Sequence, residues 1–516
     1  MARGRQLARF QPYGIQPDLV AAIQPPNVWT RAVDVVFREG AAERVRGDQQ
    51  VYGVPLFPPE WSLFTRDADE APVWIYAAAG GVGMFDGAVH TDITPAIYQA
   101  PVGFNPWTGG ILNSVPVLGN GLFYYWPGVG QMLPLPGWPA LQEATAIRPF
   151  KFHLVAMGLV DAGVILEDAV AWSAAAPPGQ VPQEWVPTPQ NEAGSAQLSQ
   201  SSGQVRDGAQ LRGSFVLYKD TSTYLMDYVG GSTIMAVRQL FSQSGILGRN
   251  CVAEQNGYHY VLTDGDVVRH DGQNIVSIAT DWVKSTLFDT IDGSNSRNAF
   301  VVSNYADSEI WFCIPQQGFV YPNLAAVFDT VKQVWGVREL PYLPASIAAG
   351  QVRLVEADTS WNGNPQPWED TPQPWGASSG RVDYYNLLQS VAVDVGSFQF
   401  VDGAVTRNGT PVGSVLAKEK MTFGDHELVK TVKAVWLEIA GTVGTVLQVS
   451  MSGEMNSMDS PSYGPTRDFV VGVSRKVDLY ATGRYLSIQI TSNAQQEVEP
   501  WRLASFSCEF EPRGLY

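Results

Sequence analysis

The side chains best placed to do chemistry in this sequence are a histidine pair, two acidic pairs and a set of tryptophans. His259 and His270 lie in HYVLTDGDVVRHDG (259–272), where Asp264-Gly265 reads as a two-residue type I′ turn because both residue types tolerate positive φ. That turn pairs Thr263 with Asp266, Leu262 with Val267, Val261 with Val268 and His259 with His270, making the imidazoles cross-strand neighbours. Tyr260 and Leu262 then share one face of the strand, and His259 and Val261 the other. A zinc site needs three or four donors, and Asp271 adds only one to this pair. The expectation is a surface cross-strand pair and no metal. Glu167-Asp168 and Asp264/Asp266 are candidates for the paired carboxylates of glycoside hydrolysis. That chemistry depends on a separation in space, and acidic residues at strand ends are ordinarily solvated. Trp361, Trp368 and Trp375 sit on Pro-rich backbone that carries a near-duplicate, PQPWED and PQPWGA. Aromatics bury area at small entropic cost, so the expectation is packing onto a neighbouring subunit, with stacking on sugars as the alternative. No P-loop, HExxH, GxSxG or EF-hand pattern occurs, and the glycines of GVGMFDG (81–87) have the wrong spacing for a dinucleotide fingerprint. Neither a cofactor nor an enzymatic activity is expected.

The elements that would position these residues are strands. Charged residues make up only 16% of the chain, whereas it holds 50 Gly and 35 Pro, a balance of short strands and many turns rather than of helical bundles. A length of 516 residues exceeds one ordinary core, so two or more domains are expected. The formal net charge of -17 argues against a protein that grips nucleic acid by its phosphates. It suits either simple solubility or a surface over which DNA passes without sticking. Three widely spaced cysteines, Cys251, Cys313 and Cys508, fit buried thiols in a chain made in a reducing cytosol. The basic start MARGRQLARF lacks a following apolar stretch, and no apolar run is long enough to span a membrane.

From about residue 50 to 350 hairpins recur, among them WIYAAAGGVGMFDG (74–87), LFYYWPGVGQMLPLPG (122–137) and FVLYKDTSTYLMDYVGG (215–231). A later one combines EIWFCIPQQG (309–318) with AAVFDTVKQVWGVREL (325–340). A lone hairpin cannot bury its own face, and radial stacking of four-stranded blades, roughly 40–50 residues each, fits the spacing. The fold expected is therefore all-β: an N-terminal arm (1–50), a β-propeller (51–403) and a C-terminal β-sandwich (404–516). The strand near Val35–Glu39 is expected to close the propeller against 395–403. Residues 173–212 and 358–380 read as insertions, the former long enough to be mobile and to gate a channel. One helix is expected in ATDWVKSTLFDTI (279–291), capped by Thr280 or Asp281, with Trp282, Leu287, Phe288 and Ile291 on the packed side.

Three passages resemble the tail-nozzle (tail tube, hub-like) proteins of short-tailed bacteriophages. The first is PPNVWTRAVDVVFREGAAERVRGDQQVYG (25–53), with Trp29, the strand Val35 to Glu39, Gly40, and Ala42 to Gly47. The second runs from TLFDTID (286–292) through EIWFCIP (309–315) to VFDTVKQVWGVREL (327–340), ending its hairpin at Trp335. The third is VDLYATGRYLSIQITSN (477–493) with WRLASFSCEFEPRG (501–514). Residues 54–215 match only as generic propeller hairpins. The resemblance implies a structural virion protein, assembled in the host cytoplasm into a ring of typically six copies below the portal and adaptor. It implies a lumen through which phage DNA passes without specific binding, and outer faces that hold fibres or spikes. It adds Trp29 to Trp361, Trp368 and Trp375 as interface candidates. Basic residues are expected away from that lumen or paired with carboxylates. The alternatives are a carbohydrate-binding or carbohydrate-cleaving surface propeller and, third, a bacterial scaffold propeller.

Overall fold

Strands such as FVLYK (215–219) are apolar at successive rather than alternate positions, and the reason is that both faces of the sheet are covered. The computed structural model describes residues 6–10, 14–15, 27–38, 40–100, 107–231, 233–352, 386–492 and 499–515. In it Phe215 and Leu217 pack with Phe150, Val155 and Met157, whereas Val216 and Tyr218 pack with Tyr260 and Leu262. The same division recurs at Trp74 and Tyr76 against Val73 and Ile75, and at Trp311 and Cys313 against Ile310 and Phe312. Strand alternation thus feeds two neighbours at once.

Among the described residues, seven four-stranded antiparallel blades result. Blade one runs from Trp61–Arg66 to His90–Asp92, blade two from Thr108–Leu112 to Leu133–Pro134, and blade three from Gln142–Phe150 to Gly194–Gln197. Blade four spans Val205–Leu211 to Met235–Phe241, blade five Val252–Gln255 to Ile275–Ser277, and blade six Phe300–Asn304 to Val334–Glu339. Blade seven comprises Ser346–Gly350, Asn386–Val391, Ser397–Ala404 and, as its outermost strand, Gly47–Val51. Val51, Leu388 and Phe398 of blade seven share a core with Trp74, Tyr76 and Phe85 of blade one, which closes the circle. The protein is an all-β propeller.

Closure therefore comes from Gly47–Val51, pairing Val51 with Phe398 and Gln49 with Phe400, and not from the strand near Val35–Glu39. Val35–Arg38 instead turns back on Ala41–Arg44, which pairs with Arg502–Leu515. The reason is Asp34, whose φ of 52° bends the chain from one sheet into another. Just before it, Arg31–Val33 lies between two strands: parallel to Val334–Glu339 of blade six and antiparallel to Val415–Met421. Blade six thereby continues into one eleven-stranded sheet that also holds Tyr485–Ser492, Val446–Glu454 and Arg467–Val470. The facing sheet contains Val477–Gly483, Leu428–Ala440, Arg502–Leu515 and the Val35–Arg44 hairpin, with Gln6–Phe10 alongside. Between them lies a core that mixes N-terminal Phe10, Trp29 and Phe37 with Leu447, Ile488, Trp501 and Phe506.

The run 173–212 is only in part a long connection: 173–193 joins two strands of blade three without strand or helix, and the rest is built into the blades. Gly194–Gln197 is the outer strand of blade three, Val205–Leu211 is the inner strand of blade four, and Trp185 in the connection packs edge-on to Trp138, centroids 4.6 Å apart. An outer strand borders solvent and an inner strand borders the axis, so neither shows the apolar run of a middle strand. The segment 358–380 lies outside the described residues. The helix is Asp281–Phe288, capped by Thr280, whose hydroxyl accepts the Val283 N–H. It buries Val283 and Leu287, and half-buried Trp282 touches both the propeller core and the sandwich core.

Candidate functional site

The inner strands of six blades, with Trp107 just before the inner strand of blade two, border one cavity of about 620 Å³ on the propeller axis. Its polar lining includes Glu60 before blade one, Arg148 on blade three, Gln210 on blade four, Asn250 before blade five, Asn298 before blade six, Tyr321 and Ser346 on blade seven. Arg148 forms a two-pronged pair with Asp207, Nε to Oδ1 at 2.8 Å and Nη2 to Oδ2 at 2.7 Å. It also donates to Asn250 Oδ1 at 2.6 Å and to the Gly109 carbonyl at 3.1 Å. Asn250 in turn donates Nδ2–H to the Trp107 carbonyl at 3.1 Å. Burial works against the Arg148 charge, but buried Asp207 outweighs it and Arg148 titrates above an ordinary arginine. This network ties blades two, three, four and five together and leaves its own charges balanced.

Glu60 is different. Its Oε2 accepts the Trp107 indole N–H at 2.9 Å, and its carboxylate accepts the Ala79 backbone N–H, both neutral donors. Burial pushes the carboxyl up, while those two hydrogen bonds pull it back. Ser346 Oγ is buried and has no hydrogen-bond partner. Nothing in the sequence singled out these groups by motif. The available signal was a charged residue inside a strand, as in ATAIRPF (144–150) and VRDGAQL (205–211).

His259 and His270 are cross-strand partners in the expected register, with Tyr260 opposite Arg269, Val261 opposite Val268 and Leu262 opposite Val267. The turn differs from type I′, since only Gly265 of the pair takes a positive φ, and the Thr263 hydroxyl bonds across to Asp266. Nor is the pair at the surface. Both imidazoles are buried between blades four and five, because Tyr218 of blade four reaches between them. His259 Nε2 must donate to the Gln210 carbonyl at 2.9 Å, which leaves Nδ1 to accept the Tyr218 O–H at 2.7 Å. The Tyr218 oxygen then accepts His270 Nε2–H at 2.6 Å. His270 Nδ1 is left buried without a hydrogen-bond partner. Burial pushes His259 down to about 4, and burial together with the His259 charge pushes His270 down to about 3. The pair is a neutral hydrogen-bonded relay between blades. Asp271 faces away, its Oδ1 accepting the N–H groups of Gln273 and Asn274. Among the described residues no group of three or more His, Cys, Asp or Glu is placed to hold a metal.

Asp266 is held by Ser277 of the next strand and Lys284 of the helix, and Asp264 lies on the exposed turn. Glu167 is exposed and Asp168 half-buried, successive residues on opposite faces of one strand. Neither acidic pair reaches the axial cavity. Trp29, an interface candidate, is fully buried in the sandwich core against Phe506, centroids 5.5 Å apart, because its strand is threaded into that core. Trp361, Trp368 and Trp375 lie outside the described residues. Cys251, Cys313 and Cys508 are free and buried, as expected.

No protein-family model and no curated protein matches the chain. Among solved structures it is similar to the extracellular domain of the putative hybrid two-component system BT4673 from B. thetaiotaomicron. That match has 9% identity and a TM-score of 0.39, and covers 89% of this chain and 63% of the other. A second structure of the BT4673 extracellular domain, described there as a putative one-component system, gives 10% identity and a TM-score of 0.36, covering 88% of this chain and 57% of that one. YCF48 bound to D1 peptide gives 10% identity and a TM-score of 0.32 over 61% of this chain and 88% of that one. The chain spans about three-fifths of the length of the BT4673 structures. No described helix is long and apolar enough to cross a membrane.

Proposed function

We propose that the protein is a structural component of a virion tail, a nozzle subunit that assembles into a ring around a genome channel. The observation that carries this reading is where the three resembling passages lie in the fold. Arg31–Val33 and the Val35–Arg44 hairpin come from the first, Val334–Glu339 from the second, and Tyr485–Ser492 and Arg502–Leu515 from the third. They meet in one place, the joint at which blade six, the N-terminal arm and the sandwich form shared sheets. Ion pairs reinforce that joint: Arg407 to Asp34 at 3.0 Å and Arg38 to Glu309 at 3.1 Å. A propeller and a sandwich fused through backbone hydrogen bonds have no hinge between them, which suits a part that transmits load. The charge pattern supports the same reading, since Arg148, Arg206 and Arg338 are each held by a carboxylate in a chain of net charge -17. A net charge of this sign repels DNA, and arginines already held by carboxylates are not available to its phosphates.

Negative-stain imaging of the purified protein, and of the particle that carries it, tests the reading. The expected result is a closed ring of identical copies with a central passage, each interface joining the same two patches. A monomer in both samples, or a ring whose passage is lined by unpaired Arg and Lys, would overturn it.

A further inference from the structure

We propose that the axial cavity is a binding site for a small organic cation, a primary or quaternary ammonium group seated on Glu60 between aromatic walls. This goes beyond the tail-nozzle reading and does not depend on it. The cavity, about 620 Å³, is in the size range of small-molecule sites. Its one cationic wall group is already neutralised, because Arg148 is paired through both prongs with Asp207 and donates further to Asn250 and Gly109. An anion would find no free positive charge there. A sugar needs several free donors and acceptors, yet the side-chain amides of Gln210, Asn250 and Asn298 already donate to the Arg212, Trp107 and Val320 carbonyls.

Glu60 is the lining group whose charge stands uncompensated: among the described residues it forms no ion pair, and its hydrogen bonds come from the Trp107 indole and a backbone amide. Trp61, Phe300 and Tyr321 line the same space, and aromatic faces beside a carboxylate are the chemistry that recognises ammonium groups. Ser346 Oγ, buried without a partner on the blade next to blade one, can accept an ammonium N–H. A cation seated on Glu60 also offsets the burial that otherwise drives its carboxyl toward the neutral form.

Calorimetric titration of the full-length protein with n-pentylammonium and, separately, with 1-pentanol tests this, because the two share shape and differ in charge. The expected result is saturable one-site binding of the ammonium, roughly tenfold or more tighter than the alcohol. Glu60→Gln keeps an oxygen for the Trp107 indole and should lower ammonium affinity by roughly tenfold with an unchanged melting temperature. Equal binding of alcohol and ammonium overturns the proposal, as does a folded Glu60→Gln protein that binds unchanged. Glucose binding more tightly than the ammonium also overturns it. Should Glu60→Gln fail to fold, the ammonium–alcohol comparison on the unmodified protein decides alone.

Discussion

Tyr218 holds two histidines in one tautomeric arrangement, its hydroxyl bonding both rings. Tyr218→Phe would leave His259 Nδ1 and His270 Nε2–H buried without partners. At about 1–3 kcal/mol for each orphaned group, the expected loss is about 2–6 kcal/mol, read from denaturant midpoints. A loss within experimental error would show that the relay carries no stability. The pH dependence follows from the same geometry. Both histidines titrate at about 4 and about 3 in the fold, below the usual 6.5, so the unfolded chain binds their protons first on acidification. Stability from this pair is complete above pH ~6.5 and falls progressively as the pH drops toward 3. Replacing the pair by His259→Gln with His270→Leu should flatten the slope of stability against pH across that window. An unchanged slope would assign acid sensitivity to the carboxylates instead.

Among the elements, the seam between blades six and seven joins an apolar core, Trp311 and Val327 against Leu387 and Val401, to one buried cation. Arg338, on the outer strand of blade six, donates to Asp48 Oδ1 at 2.8 Å and to Asp402 Oδ2 at 3.0 Å, and its guanidinium stacks 4.8 Å from the Trp311 ring centre. Asp48 belongs to the closing strand and Asp402 to the strand beside it, so one cation fastens the closure from outside. Burial pushes the Asp48 carboxyl up, and Arg338 is the largest influence drawing it down. Arg338→Met keeps the stem and strands a buried carboxylate, an expected loss of about 3–5 kcal/mol in urea or thermal unfolding. Gly47, at the start of the same strand, has no room for a side chain, since a Cβ there would come within 2.1 Å of the Thr406 carbonyl. Gly47→Ala should therefore loosen the closing strand, seen as faster amide exchange across Gln49–Val51. Exchange no faster than in the parent would mean that the 406–407 turn simply moves aside.

At the level of the whole molecule, sheets shared between the propeller and the sandwich predict one folding unit. Scanning calorimetry should record a single cooperative transition. Two transitions that shift independently would mean that the joint through Arg31–Val33 contributes little. Deleting residues 1–44 removes Phe10, Trp29 and Phe37 from the sandwich core while sparing the closing strand Gly47–Val51. The expected product has lost the sandwich and its cooperativity, and exposed apolar faces make it aggregate. A soluble truncation melting like the parent would assign the arm a role outside folding.

The strand alternation and register of the hairpin at 259–272 were legible from its own residues, though the turn type was not, because register depends on neighbours close in sequence. The all-β class was legible for the same reason, from a composition rich in turn formers and poor in charge. What only the tertiary structure decided lies across long separations. Asp34 sends one short arm into two sheets, and the choice of Gly47–Val51 over Val35–Arg38 for closure rests on partners more than 300 residues away. The polar stretch 194–211 supplies two strands, because strands at the rim and at the axis of a propeller need no apolar pattern of their own. The histidine pair reads as a surface feature until Tyr218 arrives from another blade, and Glu60 and Ser346 have no meaning until seven inner strands surround one axis. Local sequence specifies a strand and its turn; which face is buried, and beside what, is specified by the packing of blades that are distant in the chain.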